Sequence, residues 1–553
     1  MKPASKTTGL RYWMGRVLQE CDHVATDFSA DPVHDLRVAL RRCRSMADGM
    51  MAMDPNKDWK AMKKAGKSLF QSLGTLRDVQ IMMEWIEKLD VATNREGSDG
   101  SPARSSEHST DSLSSTESAG SDQHDSVRAL LNILKARESE QKHQARAVLD
   151  EFDRKQWRQW SQSLPLRAAR VRPGSAVFKH LALERWTAAR ELHTRAMRNR
   201  SQIAFHTLRI GIKRFRYIVE NFLPEEHEAW SNDLKHMQDL LGEVHDLDVL
   251  WATATSCHVF HDEASRQSWH TRIVEERTKR IEEYRLRMVG PDSLWNVWRD
   301  GLPQGKQVQE IATRRMKLWA KVLDPDFAHS ERVARLALEL YDGLTATGLL
   351  GSLNGKPRND AAADVRACLY IAALLHDVGK AKGNRRHHKA SLELINAHGT
   401  PLGWKAENME RAALVARFHC GALPTRSHRA LRDLLPEQQK ITIQLAAILR
   451  LANAFDAAHD GHVRRLQIEN AAAQSQGRKR RTNGFLRKPA KLAPHEALMI
   501  GADGFVPDST TAQAVAAERY LLETMLRRPI VVRAAVKSPR GRRSALEPRR
   551  IAS

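Results

Sequence analysis

The sequence predicts a mainly α-helical protein: two similar helical subdomains, then a further all-helical domain with a small C-terminal α+β extension. Apolar residues recur at helical spacing through most of the chain, and Pro and Gly lie mainly between these segments. One long segment also occurs twice, with a repeat length of about 140 to 170 residues, which is far too long for a solenoid unit. The 553 residues, 41% of them hydrophobic, are enough for several hydrophobic cores.

The clearest mark of the repeat is a pattern of His, Arg, a basic residue and Arg at spacings 0, +3, +7 and +10. It occurs in VHDLRVALRRCR and again in FHTLRIGIKRFR. The eight residues are His34, Arg37, Arg41, Arg44, His206, Arg209, Lys213 and Arg216. At about 100° per residue, the four positions of each segment fall within an arc of roughly 80°, so each helix presents one cationic stripe. A solvated helix face would mix charges of both signs, so the stripe predicts a polyanionic ligand.

The repeat continues beyond the stripes. LGTLRDVQ, which starts at residue 73, corresponds to LGEVHDLDV, which starts at residue 241. Further equivalent pairs are Lys67 with Lys235, Trp157 with Trp295, and Trp160 with Trp298. The repeats therefore cover about residues 10–165 and 185–302.

These motifs resemble the conserved-histidine α-helical domain, CHAD, over residues 10–302. The resemblance implies two four-helix bundles around a basic central cavity that binds inorganic polyphosphate through the eight stripe residues. The equivalent pair Lys67 and Lys235 joins this candidate set. Guanidinium groups offer paired donors to phosphate oxygens. Crowded cations repel one another, and an anionic ligand relieves that repulsion.

Three segments differ in composition from the rest. Residues 94–125 are rich in Ser, Gly, Asp and Glu, which predicts a disordered insertion in the first bundle. Residues 474–491 and 537–553 are rich in Arg and Lys, which predicts a flexible basic insertion and a disordered basic tail. Such arms leave nucleic-acid binding open as an alternative, although aromatic residues, on which single-stranded bases stack, make up only 6% of the chain.

The second half of the chain contains further amphipathic segments. Helices are predicted over residues 328–344, 366–380, 409–419 and 438–456. ALMIGADGFV and RPIVVRAAV read as strands on either side of a helix at 511–526.

Metal-ligating side chains recur along these helices. They are His329, the pair His376 and Asp377, the pair His387 and His388, His419 and Asp456. Imidazole and carboxylate groups are ligands for Mn²⁺, Fe²⁺, Co²⁺ and Zn²⁺. Adjacent His and Asp on one helix lie about 100° apart, so the carboxylate could bridge two ions. Two such ions acidify a bound water and neutralise phosphoryl oxygens, which phosphoester or phosphoanhydride hydrolysis requires.

The segments LLHDVGK, HHKASLELI, ARFHCGALPTRSH and ILRLANAFD resemble the HD superfamily of metal-dependent phosphohydrolases. More narrowly, residues 306–536 resemble the C-terminal HD domain of the exopolyphosphatase/guanosine pentaphosphatase family. The resemblance implies one or two divalent ions (Mn, Fe, Co, Zn or Mg) bound by His329, His376, Asp377, His419 and Asp456. The resemblance implies one further ligand, either His387 or His388. The choice depends on the spacing between this histidine and a following small residue, which is Ser391 here. A spacing of four positions fits His387, and a spacing of three fits His388. His376, Asp377 and Lys380 form the implied catalytic centre, with Lys380 neutralising phosphate.

That family also has an actin-like ATPase-type domain, whose Gly-rich phosphate loops do not occur in this sequence. Two functions follow. The first is a polyphosphate-binding protein whose metal-dependent HD domain hydrolyses polyphosphate or a nucleotide. The second is a non-enzymatic polyphosphate sensor or granule-targeting scaffold with a structural or vestigial metal site.

Charge and cysteine content set the remaining expectations. Lys and Arg number 89 and Asp and Glu 66, so the net charge of +23 favours anionic partners. Five scattered cysteines show no CxxC spacing, which predicts a reducing compartment and neither disulfides nor a thiolate zinc site. The start of the chain has no apolar signal region, and apolar runs such as 369–375 are too short to cross a bilayer. We therefore expect a cytoplasmic protein with no membrane partner, with polyphosphate granules as a further location.

Overall fold

The computed structural model describes residues 9–96, 115–260, 262–350, 359–469 and 497–535. The chain divides into two compact units, Met1–Arg315 and Met316–Ser553. Both units are built mainly of helices, which confirms the predicted fold class. None of the described helices combines the length and the apolar composition that crossing a bilayer requires.

The first repeat contains four long helices and one short one. They are α1 (Leu10–Thr26), α2 (Ala30–Met51), α3 (Lys57–Glu96), α4 (Ser115–Asp150) and α5 (Arg154–Ala168). The Asp153 side chain caps α5 by accepting a hydrogen bond from the Gln156 backbone N–H at 2.8 Å. This cap places the indole of Trp157 in the core, where its Nε1 donates to the Met14 carbonyl at 3.1 Å.

The second repeat has the same order of elements. They are α6 (Ala176–Asn199), α7 (Gln202–Phe222), α8 (Pro224–Ser256), α9 (Glu263–Met288) and α10 (Leu294–Asp300). Trp295 and Trp298 of α10 are fully buried, as is Trp157, the counterpart of Trp295. A Cβ at Gly211 would lie 2.8 Å from Leu192 Cδ1, so glycine lets α7 pack closely on α6. Across the repeats, α2 packs on α7 and α3 on α8, which brings the two stripe-bearing helices together.

The predicted insertion at 94–125 is helical at both ends, because α3 continues to Glu96 and α4 begins at Ser115. Extending an existing helix costs much less than starting one, so the flanking helices can propagate into a polar segment. Residues 97–114 lie outside the described residues.

The second unit is helical around its core. The helix α11 (Lys306–Leu323) spans the boundary between the units. The next elements are α12 (Phe327–Ala346), α13 (Asn359–Leu375), a short 3₁₀ helix (Val378–Lys382), α14 (His387–His398), α15 (Ala406–Arg417) and α16 (Pro436–Ala454). The core is formed where α12, α13, α15 and α16 pack on one another.

A three-stranded sheet completes this unit. Its elements are β1 (Arg465–Glu469), β2 (Leu498–Asp503), α17 (Thr510–Leu526) and β3 (Ile530–Ala534). The strand order is β1-β2-β3; β1 is antiparallel to β2, and β3 is parallel to β2. The two predicted strands and their intervening helix are confirmed, whereas β1 was not predicted. The basic segments predicted at 474–491 and 537–553 lie outside the described residues.

Candidate functional site

The first unit contains a cavity of about 470 Å³ where α2, α3 and α7 meet. We call it the cationic cavity. The basic residues that line it are His34, Arg37, Arg41, Arg44, Arg77, Lys213 and Arg214. Asp48 is the only carboxylate among the residues lining this cavity, and it forms an ion pair with Lys63. The cavity therefore has a large excess of positive charge.

Aromatic rings hold several of the guanidinium groups in place. The Cζ atoms of Arg37 and Arg44 lie 5.3 and 5.1 Å from the ring centre of Phe70, and that of Arg41 lies 5.6 Å from the ring centre of Tyr217. Such cation–π contacts orient a guanidinium without neutralising it. The Nη1 of Arg37 is buried without a hydrogen-bond partner among the described residues. The cations are therefore oriented while retaining donor capacity for an anion.

The pKa values of the cavity residues reflect this crowding. Burial, followed by the nearby charges of Arg209 and Arg41, lowers the pKa of Lys213 to about 7. Burial and the charge of Arg77 likewise lower the pKa of His34. Burial raises the pKa of Asp246 on α8 to about 6, even though Arg209 opposes that shift. A bound polyanion would favour the protonated form of each group.

Not every predicted binding residue lines this cavity. The Nη2 of Arg216 lies 3.8 Å from Glu220 Oε1, and the Nδ1 of His206 lies 3.4 Å from the Nδ1 of His245. The Nε of Arg209 is buried and has no hydrogen-bond partner among the described residues. Lys67 and Lys235 are exposed and do not line the cavity. The structure therefore brings together the first stripe and Lys213, with Arg77 and Arg214 as lining residues that were not predicted.

The second unit gathers the predicted metal ligands in one place, which we call the His–Asp cluster. Its residues are His329, His376, Asp377, His387, His419 and Asp456. Each lies near a helix end. His329 is in the first turn of α12, where the Asp326 side chain caps the helix by accepting from the His329 backbone N–H at 3.2 Å. His387 is the first residue of α14.

The other predicted ligands follow helix ends, so the predicted helices over 366–380, 409–419 and 438–456 ended too late. The helices α13, α15 and α16 end at Leu375, Arg417 and Ala454. After α13 the backbone meets α14 closely, since a Cβ at Gly379 would lie 2.0 Å from the His387 carbonyl oxygen. The Ser391 hydroxyl accepts from the Gly379 N–H at 2.9 Å and donates to the His376 carbonyl at 2.6 Å. These bonds satisfy backbone groups that the end of α13 leaves free.

Three imidazoles share one protonation pattern. The Nδ1 atoms of His376, His387 and His419 lie 2.7, 3.0 and 2.7 Å from the carbonyl oxygens of Ala373, Asn384 and Ala416. A carbonyl oxygen only accepts, so each Nδ1 carries a proton, and each ring in its neutral form presents an Nε2 lone pair. Burial lowers the pKa of His376, but the Asp377 carboxylate outweighs it and raises that pKa, and the same carboxylate raises the pKa of His387 to about 10. Both rings therefore favour the form in which Nε2 also carries a proton. Burial and the charge of His376 hold the pKa of His419 well below its usual value, which keeps that ring neutral.

The Nε2 atoms of these rings converge on Asp377. Its Oδ1 lies 3.3 Å from His387 Nε2 and 3.7 Å from His419 Nε2. Its Oδ2 lies 3.4 Å from His376 Nε2 and 4.0 Å from His329 Nε2. Burial raises the pKa of this carboxyl, but His376 and its neighbours outweigh that effect, so the pKa lies below the usual range. The carboxylate thus has one oxygen towards each pair of histidines.

The cluster fits a divalent cation. His376 Nε2 and Asp377 Oδ1 are buried and have no hydrogen-bond partner among the described residues. His387 Nε2 and His419 Nε2 are only 3.0 Å apart, so either a proton on His387 Nε2 or a bound cation lies between them. Buried lone pairs would be unfavourable if they faced one another with neither a proton nor a cation between them. A cation shared among them removes that cost, and neutral imidazole with carboxylate is a common metal-ligand set.

Asp456 and His388 occupy different positions from the other predicted ligands. Asp456 Oδ2 lies 2.7 Å from His329 Nδ1 and accepts a hydrogen bond from Arg332 Nε at 2.8 Å. Asp456 therefore contacts the ring nitrogen of His329 that faces away from Asp377 and orients the ring. Its role as a ligand stays a prediction. The Nδ1 of His388 lies 3.5 Å from the sulfur of Cys420. Of the two adjacent histidines, His387 is therefore the one that the structure places beside Asp377.

Sequence reasoning missed several residues around the cluster. Asn453 Oδ1 lies 2.9 Å from His329 Nε2, and Arg332 contacts Asp456. Arg450 donates to the carbonyls of Phe418 and Gly421, both at 3.1 Å, and thereby fixes the loop that carries His419. Asn453 could have been found from its position one turn before Asp456, whereas nothing in the sequence near Arg332 or Arg450 marks their contacts.

Comparison with known families agrees with both resemblances. Residues 13–255 match the family model described as the CHAD domain. Residues 311–493 match the one described as Ppx/GppA phosphatase, domain III. A search of curated proteins finds no match. The two domain matches, in this order, indicate a polyphosphate-related protein with a phosphatase-like domain.

Proposed function

From the order of a CHAD domain and a Ppx/GppA phosphatase domain III, we propose that this protein binds inorganic polyphosphate in the cationic cavity and hydrolyses a phosphoanhydride or phosphoester at the His–Asp cluster. The observation that carries the hydrolase proposal is the convergence of imidazole Nε2 atoms on Asp377, whose Oδ1 is buried and has no hydrogen-bond partner among the described residues. Such a centre is suited to divalent cations, and phosphate transfer is the chemistry that they assist.

The residues that would hold the ions are His329, His376, His387 and His419 through Nε2, with Asp377 shared between them. When bound, divalent ions supply an acidified water and neutralise phosphoryl oxygens. The protein positions these ligands. Asp456 and Arg332 orient His329, and backbone carbonyls orient the other three rings. Lys380 Nζ lies 2.6 Å from Asp377 Oδ2 and is partly exposed, so it is placed to meet a phosphoryl oxygen arriving from solvent.

The cationic cavity supports polyphosphate as the polyanion. Its guanidinium groups are oriented by aromatic rings and have few carboxylate partners. A phosphate chain offers about one negative charge per unit, matching a row of guanidinium groups better than an isolated phosphate would. The same affinity would retain the protein at polyphosphate granules. Nucleotides share the phosphoanhydride bond and are the second substrate class that we propose.

The test is metal analysis together with phosphate release. The full-length protein is purified without chelator, loaded in turn with Mn²⁺, Fe²⁺, Co²⁺, Zn²⁺ and Mg²⁺, and offered polyphosphate and nucleotides. We expect metal-dependent release of phosphate that an Asp377→Ala variant lacks. Metal retention without release from any of these substrates would favour the sensor or scaffold instead. Failure to retain any metal would refute the hydrolase proposal.

A further inference from the structure

We propose that Cys420 is a metal ligand, so that one half of the His–Asp cluster has a sulfur donor and prefers Zn²⁺ or Co²⁺ to Mn²⁺ or Mg²⁺. This inference rests on the proposed metal-binding function of the cluster. It concerns a residue that the cysteine spacing of the sequence did not mark, because Cys420 has no second cysteine nearby.

The donor atoms are close enough to share one ion. Cys420 Sγ lies 3.8 Å from His387 Nε2, which lies 3.0 Å from His419 Nε2. One donor atom from each of the three residues falls within 4.8 Å of the other two. Zinc bonds of about 2.0–2.1 Å to nitrogen and about 2.3 Å to sulfur imply, in a tetrahedral site, ligand separations of about 3.3 Å for two nitrogens and about 3.6 Å for nitrogen and sulfur. The observed distances are within a few tenths of an ångström of these values.

Asp377 supplies a fourth donor and divides the cluster in two. Its Oδ1 lies 3.3 and 3.7 Å from the same two imidazole nitrogens and is buried without a hydrogen-bond partner among the described residues. Its Oδ2 faces His376 and His329 instead. One half therefore offers two nitrogens, a sulfur and an oxygen, and the other offers nitrogens and an oxygen.

The backbone on both sides of Cys420 is anchored. Arg450 donates to the carbonyl of Phe418 on one side and of Gly421 on the other, and the Nε of Arg450 in turn donates to Glu518 at 2.7 Å. Gly421 has a positive φ of 74°, a conformation that suits glycine and allows the chain to turn directly after the cysteine. The position of the sulfur beside His387 is thus set by the fold.

A sulfur donor changes which metal the site selects. Thiolate is a soft ligand that favours Zn²⁺, whereas oxygen ligands suit Mg²⁺ and Mn²⁺. The half that contains Cys420 should therefore take Zn²⁺ or Co²⁺, while the half with His329 and His376 can accept a harder ion. Metal preference in this protein would then depend on one residue that directly follows His419.

Cobalt spectroscopy of the full-length protein tests this directly. A thiolate bound to Co²⁺ gives a ligand-to-metal charge-transfer band in the near ultraviolet, which imidazole and carboxylate do not give. We expect the band in the wild-type protein and in Cys257→Ser, the matched control, whose thiol is also partly exposed but lies in the other unit. Cys420→Ser should still bind Co²⁺ through the imidazoles, without the band. Cys420→Asp, which restores a fourth donor as oxygen, should bind Co²⁺ more firmly and also lack it.

Competition between Zn²⁺ and Mn²⁺ gives a second readout. We expect the preference of the wild-type protein for Zn²⁺ to fall at least about tenfold in Cys420→Ser, because a soft ligand is lost. Bound Co²⁺ without the band in the wild-type protein, or an unchanged band in Cys420→Ser, would overturn the inference while leaving the metal site intact. Absence of any Co²⁺ binding would overturn both this inference and the proposed function.

Discussion

The cationic cavity and the His–Asp cluster are opposite in kind. In the cavity, guanidinium and ammonium groups crowd together, and Phe70 and Tyr217 orient them in place of carboxylates. In the cluster, imidazole Nε2 atoms surround a buried carboxylate, and the Nδ1 protons of three rings point away to backbone carbonyls. The cavity has an excess of positive charge, whereas the cluster gathers metal-ligating atoms around a negative charge. We therefore expect the cavity to bind an anion and the cluster to bind a cation.

The two sites also respond differently to losing a group. The cavity spreads its charge over many side chains, some of which relieve the repulsion by changing their pKa. The cluster converges on one carboxylate. We therefore expect the response of the cavity to be graded and that of the cluster to be nearly all-or-none.

The largest effect is expected from Asp377→Ala. Losing a partner that merely supports a metal ligand already costs about 10–100-fold in metal affinity, so losing the shared carboxylate should cost at least about 100-fold. Bound metal is measured by elemental analysis after dialysis, with circular dichroism to verify helicity. Asp364→Asn on α13, whose partner is Lys405, is the control and should keep its metal. Wild-type metal content in Asp377→Ala would show that this carboxylate is not the shared ligand of the cluster.

Next in size is the double charge reversal Arg37→Glu with Arg209→Glu, at one residue that lines the cavity and at one whose charge acts on Lys213 in its wall. Hydrogen bonds to charged groups contribute about 1.5–3 kcal/mol each, so two reversals should weaken polyphosphate binding at least about 100-fold. The salt dependence of the remaining binding should also be shallower, because fewer counterions are released. Binding is measured by titration calorimetry at several salt concentrations.

The matched control for that variant is Arg158→Glu with Arg195→Glu, two exposed positions with the same change in net charge. Equal losses in both variants would mean that net charge, rather than the cavity, binds the polyanion. The cavity variant also tests cooperation between the sites: its hydrolysis of long polyphosphate below saturation should fall, while its rate on a nucleotide should not.

The next prediction, with a smaller effect on metal affinity, distinguishes which of the two adjacent histidines is the ligand. His387→Ala removes a nitrogen 3.3 Å from Asp377 and should lower metal affinity about 10–100-fold. His388→Ala should lower the affinity less than His387→Ala does, because His388 does not lie beside Asp377 and instead contacts Cys420 and the ring of His387. The measurement is competition with a chromophoric chelator. A larger loss in His388→Ala would assign the ligand to the other histidine.

The smallest effect is the pH dependence of polyphosphate binding. The groups acting on Lys213 are Arg209 on its own helix, Arg37 and Arg41 on α2, and Asp246 on α8. Because the folded-state pKa of Lys213 is about 7 rather than 10.5, the cost of its charge is fully present below pH 7 and is relieved as the pH rises towards 10.5. A polyanion favours the charged form, so affinity should fall as the pH rises through 7.

Deprotonation of Asp246, whose pKa is about 6, adds negative charge near the same cavity and acts in the same direction. Over about two pH units we expect roughly a tenfold loss of affinity. Lys213→Arg keeps a permanent charge and should flatten the part of the profile above pH 7. Affinity that rises with pH, or a profile unchanged in Lys213→Arg, would contradict this assignment.

Sequence periodicity predicted the cavity well because its residues lie on helix faces. His34, Arg37, Arg41 and Arg44 share one side of α2 and therefore meet one cavity. Periodicity could not reveal that Phe70 of α3 would lie against two of these guanidinium groups, because contacts between helices depend on packing. It also could not separate Lys67, which is exposed, from residues inside the cavity.

The cluster was predicted by motif rather than by periodicity. The motifs identified which residue types matter, but they placed His376, Asp377, His419 and Asp456 on helices that end before these residues. The backbone path depends on close contacts such as that of Gly379 with α14, which no local pattern encodes. For the same reason the choice between His387 and His388 stayed open until the direction of each ring was known.

The position of the cluster residues at helix ends affects the stage of folding at which the cluster forms. His329 and Asp456, which contact each other, are 127 residues apart in the chain, and the remaining ligands come from the ends of helices between them. The entropy cost of closing a loop of that length arises before the contact can stabilise the fold. We therefore expect the donor atoms to converge only late in folding. Any metal ion that the cluster binds would then be captured by an almost completely folded domain rather than acting as a folding nucleus. Chelation during refolding should leave the folding rate unchanged, while metal added afterwards should slow unfolding.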